Sequence, residues 1–372
     1  MPIPAESDSQ PVGDAAVARR ILREYHQRGI DPGSFQRLAG SVHGASVTYL
    51  VTAADGQRLV VRACRADAPV PVQFRRSSRS TPLDWLVTRA ATLDYLDRGG
   101  YPAPRLVRTR SGDMVGLDGV WLTLATSYVE GAVLRPSVEQ LGMLGGALGR
   151  LHSLEVVAET GPGQAVWYPD EAIPVTLARL DRVAGLLPPG WQEMYAAFRE
   201  TVLAVRSALG GTLPGLPPGL PRGLVHGDAW AANAVQTGPK EVTLIDWECA
   251  GLGLPVLDLG NCLLECLLDA EPGGVGPEAW HVQPDEDRIA AVAAGYAAWR
   301  VLSPAERAVL LPAVRFGTAY AGAIHFEQAL VDGVRGAAMD ARLERLRNRL
   351  AVSESVARLA ARHLAGNGKP VR

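Results

Sequence analysis

Hydrophobic and polar positions divide the chain into a strand-rich first part and a helical second part. Two runs rich in β-branched residues, Ser46–Thr52 (SVTYLVT) and Arg58–Cys64 (RLVVRAC), flank an Ala-Asp-Gly turn and predict a β-hairpin. Apolar residues at helical spacing predict helices over Asp14–Arg28 and Leu83–Asp97. Short strands are expected near Leu106–Val107 and Val120–Leu124.

After Pro136 the pattern becomes mostly helical. Val138–Leu151 carries leucines at helical spacing, and a connector rich in proline and glycine, Gly210–Gly223, leads into a short strand–loop–strand unit over Leu224–Trp247. Further helices are predicted over Arg288–Arg300, Pro304–Leu330 and Met339–Leu364. The pattern therefore predicts an α+β protein, with a small antiparallel-sheet lobe followed by a larger, mainly helical lobe.

Composition and charge exclude several classes of function. Of the 372 residues 47% are hydrophobic, and the formal net charge is -2 with acidic and basic residues interspersed. Because there is no basic stripe, we expect neither nucleic acid nor a membrane as a partner. Met1–Gly13 lacks the apolar core of a signal peptide, and no run approaches the ~18 apolar residues of a spanning helix. The four cysteines form no C-x-x-C pair or zinc spacing, as expected of reduced thiols in a cytoplasmic enzyme.

The residues that indicate chemistry lie in two segments, Leu224–Asn233 (LVHGDAWAAN) and Val242–Glu248 (VTLIDWE). Phosphoryl transfer needs a carboxylate aligned on the attacking hydroxyl, and oxygen ligands that hold Mg²⁺ against the phosphates. Asp228 is therefore the candidate catalytic carboxylate, and Asn233 and Asp246 are the candidate metal ligands. The spacing from Asp228 to Asn233 equals that of the kinase catalytic loop H-R-D-x-x-x-x-N, and Asp246 occupies the DFG-like place.

Simpler interpretations exist for these residues taken singly. Asp228 alone would be interpreted as a turn former, and Asp246 as a cap at a strand end. The order and spacing of the full set favour the catalytic interpretation. His226 is expected to be a buried histidine that supports the loop rather than an acid or a base.

This region resembles the aminoglycoside-phosphotransferase and choline-kinase superfamily, whose fold is protein-kinase-like. Leu148–His152 (LGRLH) is similar to the family's L-x-x-L-H helix end, Tyr128–Gly131 (YVEG) to its segment after the hinge, and Pro255–Gly260 (PVLDLG) to its P-x-x-D-L-G segment. The resemblance covers roughly residues 36–330 and is strongest between 224 and 260.

The resemblance implies a domain organisation, a reaction and roles for single residues. It implies an N-terminal nucleotide-binding lobe over 1–126, a hinge over 127–131, and a helical C-terminal lobe over 132–372 with the catalytic loop and the acceptor site. ATP or GTP would be the co-substrate, with Mg²⁺, and a hydroxyl of a small molecule the acceptor. Asp228 would be the catalytic base, Asn233 and Asp246 the metal ligands, and Asp258 the residue that braces the catalytic loop.

The nucleotide-binding residues are expected in the first lobe and the hinge. Before the hairpin lies a glycine-containing turn that fits a phosphate cover, because glycines let backbone N–H groups approach phosphate oxygens. Arg62 stands on the return strand, where the family places a Lys or Arg on the α- and β-phosphates. The purine edge is expected to meet the backbone from Ser127 to Val129. The residues of the turn are Gly40, Ser41 and Gly44.

One position departs from the family pattern. The family expects a glutamate in the following helix to hold the basic residue, and the alignment places Arg89 there. Two arginines cannot form an ion pair, so the clamp around Arg62 is an open question. Asp84, Asp94 or another carboxylate could substitute, the alignment could slip across Gln73–Thr81, or both arginines could face phosphate.

The acceptor site is expected beside the helix that begins near Leu257. If Leu257–Asp269 is helical, Glu265 and Asp269 share the face of Asp258 and line the cleft next to the catalytic loop. An acidic cleft would suit a polyamine-like or aminoglycoside acceptor. The alternative is that these carboxylates are solvated at a helix end.

Three functions are compatible with these features. A small-molecule kinase for an aminoglycoside-like antibiotic, an amino alcohol or a sugar fits best. A kinase for Ser or Thr of a peptide uses the same chemistry. A non-catalytic nucleotide-binding pseudokinase is favoured by Arg89 but opposed by the intact set of Asp228, Asn233 and Asp246.

Overall fold

We describe the protein from a computed structural model. It describes Tyr25 and residues 30–38, 46–53, 55–68, 70, 81–156, 169–209, 220–268, 284–334 and 336–364. The chain forms two compact units. The first holds the described parts of Met1–Pro71, Thr81–Ala90 and Pro104–Tyr128, and the second holds those of Ala91–Ala103 and Val129–Arg372. The lobe boundaries at 126 and 131 stay a prediction, and the helix predicted over Asp14–Arg28 lies outside the described residues except for Tyr25.

The first unit is built on one antiparallel sheet, in the order β1-β2-β3-β6-β4 with β5 also paired to β6. Its strands are β1 (Ile30–Arg37), β2 (Ser46–Ala53), β3 (Arg58–Arg65), β4 (Leu106–Val107), β5 (Gly116–Asp118) and β6 (Trp121–Ser127). Strands β2 and β3 form the predicted hairpin, with Val47 opposite Ala63 and Leu50 opposite Val60. Buried and less buried residues alternate along most of β3, because successive side chains point to opposite faces of a sheet, and β2 alternates on either side of the buried neighbours Thr48 and Tyr49.

Tyr25 fixes two strands of this sheet to each other. Its hydroxyl donates to the carbonyl oxygen of Thr123 on β6 at 2.6 Å and accepts from the backbone N–H of Gly116 on β5 at 3.0 Å. Tyr25 also packs into the core with Tyr49, Val51 and other apolar residues of β2 and β3. A buried hydroxyl that both donates and accepts avoids the cost of an unpaired polar group.

The second unit is mainly helical. Helix α1 (Pro82–Arg98) begins in the first unit and ends in the second. The later helices are α2 (Val138–Leu151), α3 (Pro169–Val183), α4 (Gln192–Ala208), α5 (Pro255–Glu265), α6 (Glu286–Ala297), α7 (Pro304–Ala308), α8 (Leu310–Leu330) and α9 (Ala337–Leu364). Two small antiparallel sheets accompany them, in the orders β10-β9-β7 and β11-β8. Their strands are β7 (Ala132–Val133), β8 (Gly223–Val225), β9 (Ala234–Gly238), β10 (Glu241–Leu244) and β11 (Gly251–Gly253).

Helices α2 and α6 approach each other through glycine. A Cβ atom on Gly145 would lie 2.2 Å from the carbonyl oxygen of Val292, and one on Gly295 would lie 2.0 Å from the carbonyl oxygen of Gly142. Backbones in such close contact leave no room for a side chain. The glycines between the leucines of α2 therefore allow α6 to pack directly against it.

We expect Gly145→Ala to lower the free energy of unfolding by roughly 2–3 kcal/mol, because the methyl group would force the two helices apart. Gly190→Ala is the matched control, since a Cβ there meets no atom within 4 Å. Its stability should stay within about 0.5 kcal/mol of the wild type. Urea unfolding followed by circular dichroism measures both. Equal midpoints for Gly145→Ala and the wild type would contradict the proposed contact.

None of the helices that the structure describes is both long enough and apolar enough to cross a membrane.

Candidate active site

The predicted catalytic loop follows a buried strand of the second unit. Strand β8 pairs with β11 and carries Leu224 and Val225 into the core. His226, Gly227 and Asp228 come directly after it, and a short 3₁₀ helix over Ala231–Asn233 leads into β9. The apolar strand thus anchors the loop at one end and the β9–β10 hairpin anchors it at the other.

Asp258 holds the backbone of this loop. Its carboxylate accepts the N–H of His226 at 2.7 Å and the N–H of Gly227 at 3.0 Å. Gly227 has φ +80°, and a Cβ there would lie 2.7 Å from Cys249, so the turn requires glycine. Burial of Asp258 would raise its pKa, but hydrogen bonds from His152 and from the loop amide outweigh this and hold the pKa below its ordinary value. A buried carboxylate that stays charged gives the loop a fixed shape.

His226 joins the two segments of the site. Its Nδ1 accepts from the N–H of Asp228 at 3.3 Å, and its Nε2 lies 2.9 Å from the carbonyl oxygen of Ile245, the residue before Asp246. Since a carbonyl oxygen only accepts, the ring proton lies on Nε2 and both nitrogens are occupied. The ring also lies 4.6 Å from that of Trp247. This geometry suits a residue that supports the loop, and it leaves no nitrogen for acid–base work.

Asp228 and Asn233 are in direct contact. The side-chain amide of Asn233 donates to the Oδ2 of Asp228 at 2.8 Å and to its carbonyl oxygen at 3.0 Å. Burial of the carboxyl group, followed by the negative charges of Asp246 and Glu265, raises the pKa of Asp228 to about 8, against the opposing hydrogen bond from Asn233. The structure therefore brings Asp228 and Asn233 into contact, and the charge of Asp246 lies near enough to raise the pKa of Asp228.

Asp246 is exposed and has a left-handed backbone, with φ 63° and ψ 60°. It is the one non-glycine with positive φ among the residues that the structure describes. A non-glycine residue in this region is uncommon and often marks a functional site. The turn follows directly from β10 and presents the carboxylate to solvent.

The donor set of these residues fits Mg²⁺. Asn233 uses its amide nitrogen on Asp228, and within the described chain nothing donates to its Oδ1. The carboxylate of Asp246 likewise receives no hydrogen bond from any residue that is described. Both are hard oxygen donors, which Mg²⁺ prefers. No group of three His, Cys, Asp or Glu that could hold a metal ion occurs in the described ranges.

A cavity of about 310 Å³ lies in the second unit beside the loop. Asp228 and Trp230 border it from the loop, and Glu265 and Leu268 border it from the end of α5. The remaining wall comes from α8 and α9. Its residues are Ala321, His325, Arg342, Arg345, Leu346 and Arg349.

Comparison with known families decides which family this arrangement belongs to. The family model of the phosphotransferase enzyme family, APH, matches residues 39–305, well over half of the chain. The chain belongs to this phosphotransferase family. The resemblance predicted from the loop and its flanking segments is therefore confirmed.

A curated relative of this chain is a homoserine kinase of Methylorubrum populi. It is 29% identical over 224 residues, which are 59% of this chain and 61% of the relative. The chain thus spans less than two thirds of the length of that protein.

Solved structures share the fold. The amicoumacin kinase hAmiN in complex with AMP-PNP, Ca²⁺ and Ami has a TM-score of 0.64 and 16% identity, covering 92% of this chain and 93% of the other. The microcompartment-associated aminopropanol kinase has a TM-score of 0.61 and 19% identity, covering 94% and 100%. At these identities the likeness concerns the fold, and it confirms the predicted kinase-like fold.

Outside the loop, the structure describes only some of the residues that were predicted to bind the nucleotide. Gly40, Ser41 and Gly44 lie outside the described residues. The N–H of Ser127 donates to the carbonyl oxygen of Arg105 at 2.8 Å. The backbone groups of Val129 make no hydrogen bond to any part of the chain that the structure describes.

Arg62 lies on β3 of the first unit, and its guanidinium carbon is 6.0 Å from the ring centre of Trp85 on α1. Asp84 is engaged at the start of α1, where its Oδ2 accepts from the Thr81 hydroxyl at 2.7 Å. Asp94 pairs with Arg98 at 3.2 Å, one helical turn away. Both carboxylates suggested as substitutes for the expected glutamate therefore have roles within α1.

Sequence reasoning missed a buried chain of hydrogen bonds behind Asp258. His152 donates from Nε2 to Asp258 at 3.1 Å, and its Nδ1 accepts from the Tyr296 hydroxyl at 3.0 Å. Tyr296 accepts from Arg300 at 2.9 Å, and Arg300 pairs with Glu306 at 2.7 Å. The L-x-x-L-H segment was a signal for His152, but the residues behind it come from elsewhere: Tyr296 lies on α6, Arg300 follows α6, and Glu306 lies on α7. This series of hydrogen bonds fixes the orientation of Asp258 and, through Asp258, that of the predicted catalytic loop.

Three buried histidines predict that folding stability falls in mild acid. Burial is the leading cause that lowers the pKa of His152, His226 and His325 below the ordinary 6.5. Below pH ~6.5 the unfolded chain takes up protons that the folded protein excludes. The contribution of these histidines to the free energy of unfolding is therefore fully present above this pH and decreases as the pH falls. The raised pKa of Asp228 changes the stability in the opposite direction, but it is a single group and the histidines are three.

We expect the free energy of unfolding to be lower at pH 5.5 than at pH 7.5 by roughly 1–2 kcal/mol, and His325→Gln to reduce this loss by up to ~1.4 kcal/mol. Urea titrations at the two pH values measure both effects. Equal stability of the wild type at the two pH values would contradict the expectation.

Proposed function

We propose that this phosphotransferase moves the γ-phosphoryl group of ATP or GTP, bound with Mg²⁺, to a hydroxyl group of a small molecule. The observation that carries the proposal is the position of Asp228. It borders a cavity of small-ligand size, and its carboxylate is in contact with Asn233 and electrostatically coupled to Asp246. Membership of the family supports the reaction class, and the homoserine kinase relative supports a small hydroxyl acceptor.

In the proposed reaction Asp228 orients the acceptor hydroxyl and takes its proton. The hydroxyl oxygen forms a bond to the γ-phosphorus as the bond between that phosphorus and the β–γ bridging oxygen breaks, and the nucleoside diphosphate leaves with that oxygen. Asn233 keeps the carboxylate of Asp228 in place through its amide. Asp258 and His226 keep the loop in the conformation that positions both residues.

Asn233 and Asp246 would hold the magnesium ion. Mg²⁺ bound there supplies positive charge that offsets the negative charge of the phosphate oxygens. Asp246 would offer the metal ion the exposed carboxylate that follows from its left-handed turn, and Asn233 would offer its Oδ1. Both residues come from loops that are anchored by buried strands, which suits a site of fixed geometry.

Further roles are proposed for residues nearer the amino terminus. Arg62 would contact the α- and β-phosphates, and the backbone from Ser127 to Val129 would meet the purine. The turn with Gly40, Ser41 and Gly44 would cover the phosphates. From the same resemblance to the family we propose that the N-terminal lobe ends at residue 126 and the hinge at residue 131.

Calorimetric titration with ATP and GTP, with and without Mg²⁺, tests the proposed function without knowledge of the acceptor. We expect binding of at least one nucleotide that strengthens roughly tenfold or more when Mg²⁺ is present. The ratio between ATP and GTP gives the base preference. Absence of binding to both nucleotides in the presence of Mg²⁺ would reject the proposal.

A further inference from the structure

His325 borders the cavity but has no role in the transfer step described above. It lies half-buried on α8 and shares the cavity with Asp228 of the predicted catalytic loop. Ligand cavities combine mostly apolar walls with a few placed polar groups that orient the ligand. A polar side chain held on a helix at such a cavity is therefore a candidate for contact with the substrate.

A hydrogen bond within α8 decides which nitrogen of His325 carries the ring proton. Nδ1 lies 3.1 Å from the Oε1 of Gln328, three residues further along the helix. Because an amide oxygen only accepts, Nδ1 is the donor and Nε2 carries the lone pair. Burial is the leading cause that lowers the pKa of His325, with the charges of Arg342 and Arg345 adding to it and the hydrogen bond to Gln328 opposing it. The ring is therefore neutral near pH 7.

The Nε2 of His325 is left for a ligand. Within the described part of the chain this atom makes no hydrogen bond. It is also not among the buried side-chain polar atoms that lack a partner, so it is open to solvent. Water can satisfy an open lone pair in the empty cavity. Once a ligand displaces the water, the lone pair needs a donor on that ligand, or it stays unpaired at a cost.

His325 is the neutral hydrogen-bond acceptor among the described side chains that border the cavity. Two carboxylates also accept there: Asp228 stands at the proposed point of transfer, and Glu265 accepts from Arg349 at 2.6 Å. Trp230 and the arginines of this wall only donate, and the remaining side chains are apolar. A substrate that fills the cavity thus meets one lone pair at Asp228 and another at His325.

We propose that His325 determines specificity, its Nε2 accepting a hydrogen bond from a second donor group of the substrate, a hydroxyl or an ammonium, while the first hydroxyl faces Asp228. The inference rests on the proposed function and narrows its substrate class to compounds with two such groups, as in polyols, sugars and amino alcohols. Binding of the second group would hold the first at the catalytic carboxylate. A polar site of this kind discriminates against compounds that lack the donor, because its own polar atom is then left unpaired.

Matched sets of small alcohols test the proposal. Propane-1,3-diol, butane-1,4-diol and pentane-1,5-diol have a donor at both ends, whereas their monomethyl ethers lack the second donor. The amino alcohols of equal chain length distinguish an ammonium from a hydroxyl. Dissociation constants are measured by ligand-observed nuclear magnetic resonance with Mg²⁺ and AMP-PNP present, so that turnover is not required. We expect the tightest diol or amino alcohol to bind at least roughly threefold more tightly than the ether of equal length.

Variants at position 325 localise this preference. His325→Leu removes the ring nitrogen and is expected to bring the affinities of the diol and the ether within about twofold of each other. His325→Gln keeps a hydrogen-bond acceptor on the side chain and should retain the preference. His363→Leu is the matched control, because it makes the same change on α9 at a residue that does not border the cavity. The control should show the preference of the wild type.

Nitrogen-15 signals of the imidazole rings test the hydrogen bond itself. The signal of His325 is identified by its loss in His325→Leu. In the free wild-type protein at neutral pH it should show the proton on Nδ1, and the Nε2 signal should shift when the tightest compound is added. A role of His325 in packing alone would leave the Nε2 signal unmoved.

Four results would overturn the inference: a proton on the Nε2 of His325 in the free protein, an ether that binds as tightly as the diol and the amino alcohol of equal length, a preference that is unchanged in His325→Leu, or no binding of any of these compounds. Failure of Mg²⁺–AMP-PNP to bind would instead count against the proposed function. The titrations are then repeated without nucleotide, and together with the imidazole signals they decide the inference independently.

Discussion

Asp228→Asn is expected to lower kcat for phosphoryl transfer by roughly 10²- to 10⁴-fold, the range that a positioned general base contributes. The amide has nearly the shape of the carboxylate and can still accept the hydrogen bond from Asn233, but it cannot take the proton of the acceptor hydroxyl. Nucleotide affinity should stay within about threefold, since the change does not remove a proposed metal ligand.

Initial rates of nucleoside diphosphate formation with and without acceptor measure the effect. Asp332→Asn makes the same chemical change at an exposed position outside the site and should keep the full rate. A variant at Asp228 that keeps more than about a tenth of the wild-type kcat would place the base elsewhere.

Asp246→Asn is expected to weaken the binding of the Mg²⁺–nucleotide by roughly 10- to 100-fold, because the substitution replaces a charged oxygen donor with a neutral one. Asparagine tolerates the left-handed conformation that Asp246 adopts at φ 63°, so the turn itself should be preserved. Binding of nucleotide in the presence of EDTA should change little. Calorimetric titration with Mg²⁺ and with EDTA separates the two effects, with Asp332→Asn again as control. Equal affinity with Mg²⁺ in the variant and the wild type would show that Asp246 is not a ligand.

Local patterns predicted the elements that depend on local interactions. The hairpin of β2 and β3 and helix α2, Val138–Leu151, formed where alternation and helical spacing indicated. Strand β1 escaped prediction because Pro32 and Gly33 within it are typical of turns. Its pairing with β2 shifts register between Ile30 and Phe35, so tertiary contact rather than local preference forms this strand.

Helix boundaries near the site also depended on more than periodicity. The helix predicted over Pro304–Leu330 is interrupted, with α7 ending at Ala308 and α8 beginning at Leu310. A capping box between Ser303 and Glu306 fixes the short first helix. Glu306 also pairs with Arg300, so this helix serves the chain of hydrogen bonds behind Asp258.

The candidate site could be predicted where its residues are close in sequence. The H-G-D segment, Asn233 and Asp246 lie within one strand–loop–strand unit, so their spacing was sufficient. The cavity wall that α9 provides could not be foreseen, because Arg342, Arg345 and Glu265 meet only when α5 and α9 pack in the folded protein. Charge counted along the sequence suggested an acidic cleft lined by Glu265 and Asp269, whereas in the fold Glu265 is paired with Arg349 and Asp269 lies outside the described residues.

The most direct test of the central claim is to follow the γ-phosphate of ATP by ³¹P nuclear magnetic resonance in the presence of wild-type protein, Mg²⁺ and a panel of small hydroxyl compounds. The panel contains homoserine, 4-hydroxybutyrate, 3-aminopropan-1-ol and an aminoglycoside. The account predicts a new phosphomonoester resonance that grows as ADP forms and that is absent with Asp228→Asn. Formation of ADP and inorganic phosphate alone, or a phosphomonoester formed equally by Asp228→Asn, would contradict it.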